Sequence, residues 1–324
     1  MTRNKTLLIL LVSGIIAVII YVSYRMLHVR DEAQYRSVSV IVDNSNSDRW
    51  TAFREGLEQG AAEERIYINV VSTDVFRSVG EEAAVIRKEL ENGADGLIVQ
   101  PCRGDVNEQL SGILPETACV LADVGISEET TLDVVRPDWY AMGESAAEQA
   151  AQAAAGGKTE HEMRVGILSG NIRQEDMARC LQGAQKRLKE RQMDIAWICS
   201  GEDIPDLKAL EMKYAQEPVQ LLLTLDDAMT ELAVKYVKLQ TKEPAAVFGI
   251  GRSEQNIASL DEGWIQALVV PDEYFMGYHC VKILAQKLGY YLARTQTAQV
   301  PFVTVAKDDI YDEAVETLLF PVVR

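Results

Sequence analysis

Residues 37–64 read SVSVIVDNSNSDRWTAFREGLEQGAAEE, and the fold is decided there. The stretch opens on Val38, Val40, Ile41 and Val42. A short β-branched run of this kind suits a strand buried on both faces. A polar turn follows, Asp43-Asn44-Ser45-Asn46-Ser47-Asp48. Trp50, Phe53, Leu57 and Ala61 then recur at helical spacing, so the order is strand, loop, helix. Asn46 or Ser47 is placed to cap the helix by accepting a bond from a free backbone N–H. In a parallel α/β sheet such a loop sits at the carboxyl ends of the strands, where ligands bind. An ordinary βα turn would read the same way, so the rest of the chain has to decide.

Outward from that stretch, strands and helices keep alternating. Strands are expected at Val38–Val42, Tyr67–Val71, Gly96–Val99, Ala118–Leu121 and Leu132–Val135. Ser78-Val79-Gly80-Glu81 is a capping box, and Val79, Ala83, Ile86 and Leu90 make one helical face. Near Pro137 the pattern restarts, with Asp138 capping an alanine-rich helix to about Ala155. A second set of strands follows at Arg164–Leu168, Ile195–Cys199, Val219–Leu223, Ala246–Ile250 and Ile265–Val270. A long helix from Asp272 to about Leu292 then precedes one more strand-like run, Val300–Val305. Two similar α/β halves with parallel sheets and right-handed crossovers are the expected architecture.

Composition bounds the function. The 324 residues carry 32 basic and 49 acidic side chains, a formal charge of −17, which argues against nucleic acid as a partner. The five cysteines form no CxxC pair and sit mostly in apolar runs, as small buried hydrophobes do. A Cys102–Cys119 disulfide is conceivable from their neighbouring strands. The three histidines are too scattered for a metal site, and no metal or cofactor is expected. No Gly-x-Ser-x-Gly elbow, P-loop, HExxH or post-strand GxGxxG is present, so an enzyme is not expected.

Leu7 to Tyr24 is free of charge and near the minimum length for crossing a bilayer. It lacks a small-residue cleavage site and has no cysteine nearby to take a lipid. It reads as an uncleaved signal anchor. Orientation by charge is a near tie, because Arg25, Arg30 and Arg36 rival Arg3, Lys5 and the terminal amine.

From Ser37 nearly to the C-terminus, the chain resembles the type I periplasmic sugar-binding proteins of the ribose class. The resemblance lies in VSVIVDNSNSDRWTAFREGLEQGA, ENGADGLIVQP, VVRPDWYAMGESAAEQAA, RVGILSGN, LLLTLDDAMTELAV, AVFGIGRSE and VVPDEYFMGYHCVKIL, in family order. Each motif is degenerate; their order and spacing are specific. The resemblance implies two Rossmann-like lobes with parallel sheets, joined by a three-segment hinge and closing on a ligand. The apolar run and the polar residues after it make 1–36 a signal anchor and spacer. One lobe would take 37–136 plus about 272–300, and the other 137–271 plus about 301–324. The resemblance also favours an extracytoplasmic soluble domain on a single-pass cell-membrane anchor. Repressors of this fold begin with a helix-turn-helix, where this chain has its apolar run.

Carried over position by position, the resemblance holds in part. Asn46, Ser47, Arg49 and Trp50 stand in the first ligand loop, where the family has an Asn-rich turn and two aromatics. Trp50 fits either a sugar-stacking role or a core role beside Phe53 and Leu57. Arg49, in the other aromatic's place, offers planar donors. Asp123 keeps the aspartate of an Asp-Arg pair whose arginine is replaced by Val124. In the second lobe the family's ligand arginine is replaced by Cys180, with Arg179 beside it and Arg173 as a substitute donor. Asp226-Asp227 stands where the family has Asn-Asp, one as ligand acceptor and the other as helix cap. Gly251 replaces an acidic residue, with Arg252 next, and Pro271 replaces a hinge glutamine. Three arginines and two aspartates facing one cleft would suit a ligand with hydroxyls plus an acidic group.

The expected function is a membrane-anchored receptor for a sugar or sugar-like small molecule, acidic ones included. It would present that ligand to an ABC permease or to a sensor histidine kinase. The competing expectation is a ligand-dead receptor fold that binds a protein partner.

Overall fold

The computed structural model describes residues 15–19, 35–46, 50–103, 108–114, 117–124, 132–155, 163–240, 244–289 and 298–320. The chain divides into two units, 1–36 and 37–324. In the first, residues 15–19 are helical; the rest of the expected anchor, Leu7–Tyr24, lies outside the described residues. Among the described residues no helix is long and apolar enough to cross a membrane.

The second unit holds two six-stranded sheets. The first contains β1 (Arg36–Ile41), β2 (Ile66–Val70), β3 (Gly96–Val99), β4 (Ala118–Ala122), β5 (Asp133–Pro137) and β11 (Ala298–Val300), in the order β11-β5-β4-β3-β1-β2. The second contains β6 (Arg164–Ser169), β7 (Asp194–Ser200), β8 (Leu221–Thr224), β9 (Ala246–Ile250), β10 (Ile265–Pro271) and β12 (Phe302–Ala306), in the order β12-β10-β9-β8-β6-β7. The recorded pairings are parallel except β10 with β12. This is the two-lobe α/β fold that the alternation predicts.

Period-two burial explains the apolar runs. In β3 all four residues are buried, Leu97 and Val99 in one core and Ile98 in the core on the opposite face. A strand covered by helices on both sides has no polar face to show. Helix pairs seal one face of each sheet. Helix Thr51–Glu64 packs on helix Glu273–Lys287, and Trp139–Ala155 packs on Glu175–Glu190. Both pairs cross at reciprocal glycines. A Cβ on Gly56 would collide with the Tyr274 carbonyl, and one on Gly277 with the Phe53 carbonyl. In the second lobe Gly143 meets the Cys180 carbonyl and Gly183 the Tyr140 carbonyl in the same way.

The chain passes between the lobes three times: after β5, after β10, and from β11 to β12. The last passage corrects the expectation of one strand over Val300–Val305. Pro301 divides that run, so β11 completes the first sheet and β12 the second. Asp272 N–H donates to the Pro301 carbonyl at 2.9 Å, tying two passages together.

Helix starts follow the sequence with two changes. Asp138 Oδ1 accepts from Ala141 N–H at 3.0 Å, and Asp272 Oδ1 from Phe275 N–H at 2.8 Å. Ser78 Oγ accepts from Glu81 N–H at 3.3 Å, but the Glu81 carboxylate reaches back to Arg77 N–H rather than to Ser78. The first helix begins at Thr51 behind Trp50, with no side-chain cap. Asn46 therefore does not cap it, and Ser47 lies outside the described residues. All five cysteines are free thiols, so Cys102 and Cys119 are not bridged.

Candidate functional site

The carboxyl ends of the strands face a cleft with a cavity volume of about 470 Å³. Asp43 follows β1, Gln100 follows β3, Asp123 follows β4, Gly170 and Asn171 follow β6, Asp226 follows β8, and Arg252 follows β9; all line it. Pro137, Trp139, Pro271 and Glu273 line it from the inter-lobe passages. Parallel topology puts loop polar groups here because no strand ladder uses them.

Two cleft residues hold left-handed backbone without being glycine: Asn44 at φ 48° and Asp123 at φ 49°. Asn and Asp tolerate this region best, and such strain gathers at ligand sites. The first loop is held from behind. Thr73 Oγ1 donates to the Val42 carbonyl at 2.6 Å, and Asp43 Oδ1 accepts from Phe76 N–H at 2.7 Å.

Trp50 takes the core setting of its two expectations. It is among the residues lining the cleft, yet it is only 2% exposed and packs in the core with Phe53 and Leu57. Its Nε1–H donates to the Asp43 carbonyl at 3.0 Å, and its ring meets Phe53 edge-on at 5.4 Å. Packing therefore fixes the indole's position.

In the second lobe Asp226 is the helix cap of the Asp226-Asp227 pair. Its Oδ1 accepts from Met229 N–H at 3.0 Å and caps helix Asp227–Leu239. Its Oδ2 is buried without a hydrogen bond of good geometry. Burial raises the Asp226 pKa and the Asp227 carboxylate adds to the rise; the N–H groups of Met229, Gly170 and Ala228 offset only part of it. Asp227 Oδ1 accepts from Arg252 N–H, Ser253 N–H and Asn256 Nδ2, each at 2.8 Å, so this oxygen holds the loop after β9. Gly251, at φ 148°, leaves room for it, since a Cβ there would collide with the same oxygen.

Arg252 is 9% exposed and spans three parts of the fold. Nη1 donates to Glu273 Oε2 at 3.1 Å, beside the second inter-lobe passage. Nη2 donates to the Leu318 and Leu319 carbonyls at 3.2 and 3.3 Å. Nε is buried without a partner.

The structure thus brings Trp50, Asp123, Asp226 and Arg252 to one cleft. Two expected residues stand elsewhere. Asn46 is exposed and does not line the cleft, whereas Asn44 does. Arg173 points to solvent and pairs with Glu202 at 3.0 Å. Ser47 and Arg49 lie outside the described residues. The expectation of three arginines in one cleft changes accordingly. Among the described lining residues Arg252 is the one guanidinium, and Glu273 already neutralises it.

Gln100 and Trp139 were missed by sequence reasoning. Gln100 Oε1 and Trp139 Nε1 are buried without partners on the cleft wall. The available signal was position, since Gln100 directly follows a buried strand and Trp139 follows an inter-lobe passage. Cys102 also borders the cleft, but burial first and then Glu82 push its thiol up to about 12, so it stays protonated at neutral pH. Among the described residues no three His, Cys, Asp or Glu side chains are grouped to hold a metal ion.

A family model described as a periplasmic binding protein domain matches residues 38–290. Solved structures of similar fold include a carbohydrate transporter solute-binding protein from Agrobacterium radiobacter in complex with D-arabinose. It is 15% identical, with a TM-score of 0.78 over 88% of this chain and 99% of that one. A glucose-galactose binding protein from Geobacillus stearothermophilus is 17% identical, with a TM-score of 0.73 over 86% and 99%. The Caulobacter myo-inositol binding protein, bound to myo-inositol, is 16% identical, with a TM-score of 0.70 over 86% and 96%. At these identities the likeness is one of fold. No curated protein matches the chain.

Proposed function

The chain belongs to the periplasmic binding protein domain family, and on that premise we propose that it is a receptor for a small sugar-like polyol held between its lobes. One observation carries the reading. Four buried polar atoms on the cleft wall lack partners: Gln100 Oε1 and Asp226 Oδ2, which accept, and Trp139 Nε1 and Arg252 Nε, which donate. Native proteins satisfy nearly all buried polar groups, so each gap is a place for a ligand atom. A hydroxyl donates and accepts at once, and a polyol offers several. The volume of about 470 Å³ lies in the range of small-molecule sites. Lobe closure would exclude water and strengthen these polar contacts. No acid–base or nucleophilic step is assigned to the site.

The proposal extends to placement and partners. The apolar run Leu7–Tyr24 holds the receptor on the outer face of the cell membrane as a single-pass anchor. A receptor that cannot diffuse suits a fixed partner, either an ABC permease or a sensor histidine kinase. Protease added to intact protoplasts should remove the large domain; its protection would refute the topology.

The binding test is a thermal-shift panel of sugars, polyols, amino sugars and sugar acids on the full-length protein. A binder at a hundred times its Kd should add about 2.7 kcal/mol of stability. No shift from any compound would favour the ligand-dead receptor fold with a protein partner.

A further inference from the structure

We propose that the ligand of this cleft is a cationic polyol: a sugar-like molecule bearing a protonated amine, recognised by Asp226 and Gln100. The inference rests on the receptor reading above and narrows its ligand class.

Charge is the first ground. Among the described residues the cleft is lined by six carboxylates, those of Asp43, Asp123, Asp176, Asp226, Asp227 and Glu273, against the single guanidinium of Arg252. That guanidinium is already paired with Glu273 at 3.1 Å. An anionic ligand would enter a field of its own sign as the lobes close and water leaves.

Unfilled acceptors are the second, independent ground. Gln100 is 9% exposed, and its Oε1 has no partner. Asp226 Oδ2 is also unfilled, although Oδ1 of the same carboxylate caps a helix. These acceptors come from opposite lobes, after β3 and after β8. An ammonium has three donors and no acceptor, which matches a wall of unfilled acceptors, whereas a hydroxyl carries one proton. A buried carboxylate beside Asp227 also gains most from a partner that brings positive charge. Hydroxyl oxygens of the same ligand can accept from Arg252 Nε and Trp139 Nε1. A metal ion fits less well, because among the described residues no three of its usual ligands converge.

The test uses full-length protein and calorimetric titration of matched trios: D-glucosamine, D-glucose and D-glucuronate, then the galacto and manno equivalents. The expected result is a trio in which the amine binds at least tenfold tighter than its neutral parent and the acid does not bind measurably. Asp226→Asn, which can keep the helix cap through its amide oxygen, should erase that preference. Equal or tighter binding of a neutral or acidic member overturns the inference and leaves the receptor reading standing. Retention of the amine preference in Asp226→Asn overturns the assignment to that carboxylate. Failure of every member of every trio, with no shift across the wider panel, overturns the receptor reading and the inference together.

Discussion

Arg252→Met should weaken the whole soluble unit, because it removes three hydrogen bonds that join distant segments. Arg252 and Glu273 form a pair whose side chains are 8% and 6% exposed. Breaking one side of such a buried pair costs about 3–5 kcal/mol. The substitution also strips the Leu318 and Leu319 carbonyls of their guanidinium donor. For a unit of this size each kcal/mol moves the melting temperature by about 2–4 °C, so a fall on the order of 10 °C is expected. Calorimetric melting of wild type, Arg252→Met, Glu273→Gln and the double variant measures it. The double variant should cost less than the two single losses together, because the two residues share one interaction. A shift of under about 2 °C in Arg252→Met would refute the claim that this pair holds the inter-lobe passage to the end of helix Glu313–Leu319.

Trp50→Ala should lower stability by about 3–5 kcal/mol, read from urea unfolding, because the indole is core as well as cleft wall. An unchanged unfolding midpoint would remove it from the core. Asp226→Asn should raise the melting temperature near neutral pH. The folded-state pKa of Asp226 lies above its unfolded value, so its charge costs stability at neutral pH and costs nothing once acid protonates both states. The gain should shrink as pH falls, and a gain that grows in acid would contradict the sign. Gly183→Ala should destabilise by roughly 1–3 kcal/mol, since the new methyl meets the Tyr140 carbonyl in the helix crossing. A neutral result by urea unfolding would mean that the two helices part at little cost.

The two lobes were legible because a buried parallel strand leaves a continuous apolar run, as in β3, and a surface helix leaves a 3.6-residue stripe. The break in Val300–Val305 was not legible from local pattern: both halves read as strand, although the resemblance already set a lobe boundary at about 300/301, and β11 and β12 join different sheets. The site was legible where position alone places a residue, as for Asp123, Asp226 and Arg252. It was illegible where loop geometry decides. Asn44 rather than Asn46 faces the cleft because the turn goes left-handed at residue 44. Arg173 sits at a strand end like Arg252, yet the nearby Glu202 takes it at the surface. The ion pair that consumes Arg252 joins residues 21 positions apart, which no local pattern records.

Titration calorimetry of the compound that most stabilises the full-length protein tests the central claim most directly, with Gln100→Ala and Asp226→Asn run beside wild type. If the ligand sits between the lobes and fills the unpartnered acceptors, one molecule should bind per chain. Each variant should then lose about 1–3 kcal/mol of binding, which is about 5- to 150-fold in Kd. Binding of the same compound with unchanged affinity in both variants would place it outside this cleft and contradict the account.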